Sequence, residues 1–227
     1  MMDASATPTV LLWSGGKDAV LALDALSRSD EHELAALLST VLDGAETVRR
    51  HGVPFRLIEA QAEEIGVPLR VMRVPPAASN ATYEAALERA LAPLLAEGVC
   101  TVATGDLHLS DIRAYREALL ERLGAEPLFP VWADDTAALA EAFIGRGYRA
   151  VITSVDTTQL DPAFVGRSFD TALLADLPEG VDPCGESGEF HTFVTDGPPF
   201  RQPIDVTVEA ATGEGRMRYA TLRRAAA

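Results

Sequence analysis

Apolar and polar positions along this chain follow a repeated strand-then-helix rhythm. Thr9 to Trp13 is a short apolar run that stops at Gly15-Gly16, and beyond Asp18 the residues Val20, Leu21, Leu23 and Leu26 recur at helical spacing. This predicts strand, glycine turn and helix. Leu34 to Leu42 is apolar without alternation, the pattern of a strand buried on both faces of a parallel sheet. Val53 to Ile65 reads as a helix ended by Gly66, and Pro68 to Val74 as the next strand, closed by Pro75-Pro76. Asn80 is placed to cap a helix running to Glu97, and Val99 to Thr104 is a fourth strand leading into Gly105-Asp106. Ser110 then caps a helix whose apolar positions Ile112, Tyr115, Leu119 and Leu123 share one face.

From Pro127 the rhythm breaks. Pro127 to Trp132 is a proline-bracketed apolar segment, Asp135 caps a helix to about Gly145, and Tyr148 to Val155 forms a strand. After Gly180 only strands and turns are expected: Phe190 to Thr195, Ile204 to Glu209, and Arg216 to Thr221 behind the turn Gly213-Glu214-Gly215. The pattern predicts a four- or five-stranded α/β nucleotide-type domain over residues 1–126 and a smaller α+β domain over residues 127–227.

Composition narrows the partners. The chain has 227 residues, 48% hydrophobic and 23% charged, as a self-folding globular protein does. A net charge of −15 repels a phosphate backbone and argues against nucleic acid as a bulk partner. Cys100 and Cys184 cannot make a disulfide framework, and neither lies in a C-x-x-C pair. Asp3 stands where a secretory signal carries basic residues, and no apolar run is long enough to span a bilayer, so a cytoplasmic protein without a membrane partner is expected. Asn80-Ala81-Thr82, formally a glycosylation sequon, then reads simply as a helix start.

Of nineteen basic residues eighteen are arginine, and the single lysine, Lys17, lies in Ser14-Gly15-Gly16-Lys17-Asp18. Glycines let backbone N–H groups approach an oxyanion, the following helix adds positive potential, and Ser14 and Lys17 add a hydroxyl and a compact charge. The loop is neither G-x-G-x-x-G nor a P-loop, since Asp18 follows the lysine. The plainer alternative is a tight turn that needs glycines.

A second constellation is Asp182-Pro183-Cys184-Gly185-Glu186-Ser187-Gly188-Glu189-Phe190-His191-Thr192-Phe193. Carboxylates, a thiol and an imidazole interleaved with glycines suit the wall of a site. A metal site from Glu186, Glu189 and His191, a cysteine nucleophile at Cys184, and a solvated turn before a strand all remain open. A serine elbow needs G-x-S-x-G, and Gly185-Glu186-Ser187-Gly188 is one residue short.

S-G-G-K-D resembles the pyrophosphate loop of the N-type ATP pyrophosphatases, which split ATP between the α and β phosphates to adenylate a substrate oxygen. The usual S-G-G-x-D-S ends in serine, where this chain has Ala19. D-P-C-G-E-S-G-E-F-H-T resembles the C-terminal signature of the diphthine-ammonia ligase family, C-G-E-N-G-E-F-H-T, with Ser187 for asparagine. His51-Gly52-Val53, Thr104 to Leu107, Arg113 to Glu117, Glu126 to Trp132 and Gly166-Arg167 agree with that family as well.

The resemblance implies a Rossmann-like, adenine-nucleotide α-hydrolase-like (HUP) ATP-binding domain, followed by a family-specific α+β domain that faces its active site. It implies a carbon–nitrogen ligase: ATP activates the carboxylate of diphthine, a modified histidine on translation elongation factor two, and ammonia displaces AMP. Ser14, Gly15, Gly16 and Lys17 would then hold pyrophosphate, and Asp18 would orient the loop or a Mg²⁺ ion. Ser39 and Thr40 end the second strand, where the superfamily builds its adenosine site, and Gly105 and Asp106 face the same edge. Glu186, Glu189 and His191 would line the acceptor side, binding a cationic substrate or handling the ammonia proton. Arg113, Arg116 and Glu117 read as the solvated face of their helix. With no glutaminase-like domain, free ammonia is the expected nitrogen source. An adenylating enzyme acting on a small bacterial metabolite is an alternative. Of the rival classes, the −15 charge and the lack of C-x-x-C disfavour a tRNA-modifying relative, while Ala19 keeps a non-catalytic nucleotide-binding or sensing protein open.

Overall fold

The structure is a computed structural model that describes residues 6–133, 135–213 and 215–225. Asp3 and Glu214 lie outside the described residues. The first half runs β1 (Thr7–Leu12), α1 (Lys17–Ser27), β2 (His32–Leu42), β3 (Thr47–Val48), α2 (Phe55–Ile65), β4 (Leu69–Val74), α3 (Asn80–Ala96), β5 (Thr101–Ala103), α4 (Ser110–Arg122) and β6 (Glu126–Leu128). Then follow α5 (Thr136–Gly145), β7 (Arg149–Asp156), a 3₁₀ turn (Pro162–Phe164), α6 (Thr171–Asp176), β8 (Phe190–Asp196), β9 (Val206–Thr212) and β10 (Met217–Arg224).

Five strands pair in parallel in the order β4-β2-β1-β5-β6, and β3 adds a short antiparallel pairing to Val41 and Leu42 at the end of β2. The chain builds outward from β1 to β2 and β4, then crosses back to β5 and β6. The carboxyl ends of β1 and β5 thus flank the point where strand order reverses, the crevice in which such sheets bind ligands. β6 spans residue 127 and pairs with β5, so the parallel sheet extends to Leu128. The second sheet is antiparallel, in the order β8-β7-β10-β9. The molecule is therefore a Rossmann-like α/β layer followed by an α+β unit, the class that the sequence pattern predicts.

Strand alternation sorts the core into two clusters. Val10, Ala36, Leu38 and Met72 point to the face covered by Leu87 and Leu91 of α3 and by Leu119 and Leu120 of α4. Leu11 and Leu37 point to the opposite face, under α1 and α2. This second cluster continues without interruption into Phe143, Ile152, Phe190 and Phe193 of the C-terminal half, so the two sheets share one core.

Local ends follow known chemistry. Gly66 closes α2 in the left-handed conformation (φ 81°) that glycine adopts without strain. Asp135 caps α5 by accepting from the Ala138 amide at 2.9 Å. The cap of α3 differs from the sequence expectation: Ser79 rather than Asn80 accepts from the Thr82 amide, at 3.1 Å. α4 starts at Ser110 behind Leu109, without a side-chain cap.

Candidate functional site

A cavity of about 520 Å³ opens at the carboxyl edge of the parallel sheet. Its floor comes from the loop after β1 (Ser14, Lys17, Asp18, Ala19) and the loop after β5 (Thr104, Gly105, Asp106). One wall is Thr40 with Arg49, Arg50 and His51, and the opposite wall is Gly185, Glu186, His191 and Thr192. Tyr83, Tyr115 and Arg116 reach in from α3 and α4. A second hollow of about 450 Å³, between α2 and the edge strand β4, contains none of the motif residues.

The glycine loop is gripped from behind. Gly15 has φ 77°, and a Cβ there would stand 2.4 Å from Gln61 Oε1 and 2.5 Å from Ile58 Cδ1, so glycine is required for both shape and space. Gln61 is fully buried, and its amide donates to Gly15 O (3.0 Å) and Val194 O (2.7 Å) while Oε1 accepts from Trp13 Nε1 (3.0 Å). Strand β8 completes the grip: the Val194 amide donates to Gly15 O at 2.9 Å, and the Lys17 amide donates to Thr192 Oγ1 at 3.0 Å. At the other loop, a Cβ on Gly105 would lie 2.8 Å from backbone atoms of Asp18 and Ala19. Only glycine lets the end of β5 pass this close to the start of α1. That helix begins at Gly16 with no side-chain cap, and its first residues line the cavity.

Lys17, expected at the pyrophosphate, lines the cavity with its ammonium engaged inside the chain. It is 2% exposed, and its ammonium donates to both Asp18 oxygens (2.8 and 2.9 Å) and to the Cys184 carbonyl, 5.8 Å from the Phe190 ring. A buried ammonium requires such partners. Burial is the largest single influence and lowers its pKa, but Asp18, Cys184 and Glu186 together outweigh it and carry Lys17 above its ordinary value. Lys17 thus ties α1 to the 182–189 segment. Both Asp18 oxygens accept from this ammonium while the side chain still lines the cavity, and each oxygen keeps a further lone pair, which suits a Mg²⁺ ion that takes its other ligands from nucleotide phosphates. Among the described residues no group of three His, Cys, Asp or Glu side chains is placed to hold a metal ion.

The 182–189 segment divides into a lining half and a supporting half. Glu186 lines the cavity and accepts from the Leu107 amide at 2.9 Å. Burial pushes its carboxyl up to about 7, against the Leu107 hydrogen bond, with Asp18 adding to the rise. Glu189 does not reach the cavity: it is 3% exposed and accepts from the Asp182 amide at 3.0 Å, bracing the loop. Asp182 in turn accepts from the Cys184 amide (2.6 Å) and pairs with His108 (3.1 Å). Burial pushes the Cys184 thiol up to about 12, so it is no nucleophile. His191 lies against His51, the ring centroids 4.5 Å apart and the planes tilted by 31°. Desolvation lowers both, His51 to about 4, so two neutral imidazoles line the cavity at pH 7.

Ser39 also leaves the site, because its buried hydroxyl donates to Trp13 O at 2.7 Å and joins the ends of β1 and β2. Thr40 beside it does line the cavity. Asp106 lines it too, accepting from Arg116 Nε at 3.2 Å, while Arg116 Nη1 donates to Tyr83 OH at 3.0 Å. Arg116 was expected on a solvated face and instead enters the site. Arg113 pairs with Glu117 at 2.7 Å and packs over Phe129 and Trp132, away from the cavity lining. Sequence reasoning also passed over Gln61, Thr104, Tyr83 and the Arg49-Arg50 pair. Gln61 carried a signal, since it lies four residues after Leu57 on the apolar face of an amphipathic helix. The Arg49-Arg50 doublet directly precedes His51, inside a region that resembles the family.

No described helix is long and apolar enough to cross a membrane. The family model described as the diphthamide synthase N-terminal domain matches residues 7–127, and the diphthamide synthase C-terminal domain matches residues 135–226. A diphthine–ammonia ligase of Danio rerio is 33% identical over 102 residues, which cover 42% of this chain and 40% of that protein, so the match spans well under half of the relative's length. Among solved structures, a predicted subunit of a tRNA methyltransferase from Methanocaldococcus jannaschii aligns over 83% of this chain and 96% of its own, at 17% identity and a TM-score of 0.44. With family matches covering both halves, the chain belongs to the diphthamide synthase family.

Proposed function

We propose that this protein is an AMP-forming carbon–nitrogen ligase, which adenylates a substrate carboxylate with ATP and amidates it with ammonia. The observation that carries the reading is that the glycine loop and N-terminal turn of α1 and the carboxyl group of Glu186 meet in one cavity at the strand-order switch. A helix N-terminus behind a glycine loop favours phosphate, and it stands next to a titratable group suited to proton transfer. Family membership and the name of the Danio rerio relative support the same chemistry.

In the first step a carboxylate oxygen attacks the α-phosphorus of ATP and pyrophosphate leaves. In the second, ammonia attacks the acyl carbon, AMP leaves, and the nitrogen loses a proton. Glu186, with a pKa of about 7, is ionised in an appreciable fraction at neutral pH and accepts that proton. Ser14, whose Oγ accepts from the Gly16 amide at 3.2 Å, is the loop hydroxyl at the cavity and turns toward phosphate. Neutral His51 and His191 leave the cavity free of imidazolium charge. Asp18 would hold a Mg²⁺ ion delivered with ATP, which when bound would offset charge on the departing pyrophosphate.

Lys17 favours a second reading. Its engagement with Asp18 and Cys184, together with Ala19, fits a protein that binds adenine nucleotide without cleaving it. Turnover of α- and γ-labelled ATP with ammonium and a carboxylate panel, diphthine-bearing elongation factor included, separates the two. AMP and pyrophosphate are the expected products. ADP and phosphate would falsify the adenylation reading, and binding without cleavage would support the sensor.

A further inference from the structure

The cavity is strongly polarised in charge. Most arginines of this chain stand beside a carboxylate, as its excess of acidic residues makes easy. Arg49 and Arg50 line the cavity, yet among the described residues neither forms an ion pair or a side-chain hydrogen bond to a carboxylate. Arg49 lies over the Tyr83 ring, 5.5 Å from its centroid, and the same Tyr83 hydroxyl accepts from Arg116. Partial desolvation and the nearby charges of Arg49 and Arg116 push the Arg50 guanidinium down from its usual range. Three guanidinium groups therefore crowd one wall with a single carboxylate, Asp106, among them. Such self-repulsion is relieved when an anion enters, and planar forks suit carboxylate or phosphate oxygens. Thr104, 2% exposed and with no partner for its Oγ1, lines the same cavity.

We infer that Arg49 and Arg50, backed by Arg116, bind a second anionic group on the acceptor, so that this protein amidates one carboxylate of a small dianion rather than of a trimethylammonium-bearing substrate. The inference rests on the ligase reading and specifies its substrate class. A cationic acceptor meets few acidic groups that are not already engaged among the described residues: Glu189 is buried in the loop brace, Asp106 is paired with Arg116 and Asp18 with Lys17, which leaves Glu186, one oxygen of which accepts from the Leu107 amide.

Calorimetry on the full chain with ATP present tests this, using glutarate, 4-phosphonobutyrate and γ-butyrobetaine as probes of similar length. Glutarate or the phosphonate binds, and γ-butyrobetaine binds at least about tenfold more weakly. Arg50→Gln weakens the dianion by about tenfold, Arg50→Lys by less, and ATP affinity stays within about twofold. Binding of γ-butyrobetaine alone, or of none of the three, overturns the assignment. So does an Arg50→Gln variant that loses ATP affinity instead, because the guanidinium groups would then serve nucleotide phosphates. Product analysis fails independently: ADP formed with the dianion preference intact sinks adenylation and leaves the subsite standing.

Discussion

The two ends of the cavity are built on opposite principles. At the glycine-loop end polar groups find partners inside the chain: Gly15 O, the Lys17 amide and ammonium, and all of Gln61 are bonded to β8, Trp13 or the 182–189 segment. At the arginine end neither Arg49 nor Arg50 pairs with a carboxylate among the described residues, and Arg50 holds a left-handed backbone (φ 70°) that non-glycine residues avoid. The first end joins the two sheets into one folding unit. The second contributes little to the fold and is arranged for something outside it. Residues in one cavity therefore answer to different demands, and substitution separates them.

Gly15→Ala is the harshest way to break the first end. It combines left-handed strain with a 2.4 Å approach to Gln61, and a loss of about 4 kcal/mol is expected in chemical denaturation. Gln61→Leu keeps the volume but strands the Trp13 indole N–H and weakens bonding at Gly15 O and Val194 O. A loss of about 3 kcal/mol should follow, with one cooperative transition for both sheets because they share a core. Two separate transitions in the wild type would contradict that shared core.

Glu186→Gln sharpens the contrast through pH. In the wild type, amidation rate climbs as pH rises through about 7; the variant loses about 100-fold at pH 8 and that limb of its pH profile disappears. The stability sign runs the other way. The folded-state pKa lies above the ordinary 4.5, so the folded protein binds the proton more tightly and loses stability as pH rises from about 4.5 through 7. Glu186→Gln removes this dependence, which melting curves across that window register as a higher relative Tm at alkaline pH. Arg50→Gln has the smallest effect on the fold. The residue is exposed and its side chain makes no ion pair among the described residues, which predicts a change within about 0.5 kcal/mol, and a larger loss would mean that the arginine end is structural after all.

Sequence alone determined a good deal here, because its signals are local. The apolar run of β2, the glycine stops after α2 and α3, and the switch from helical to strand patterning beyond Gly180 each reflect chemistry within a few residues. The short β3 and α6 escaped notice because two or six residues carry too little periodicity. Lys17, Asp106 and Glu186 could be singled out as unusual residues in unusual contexts. What each side chain does was a matter of distance across the fold. Lys17 turned inward because Cys184, far along the chain, offers it a carbonyl. Ser39 and Glu189 became braces because Trp13 O and the Asp182 amide lie within reach. Arg116 entered the site because Tyr83 and Asp106 converge on it from other elements. Sequence thus set where strands end and glycines sit, through backbone propensity and local pattern. Only the tertiary structure decided which charges are neutralised and which face the cavity unpaired, since that depends on contacts that no local pattern encodes.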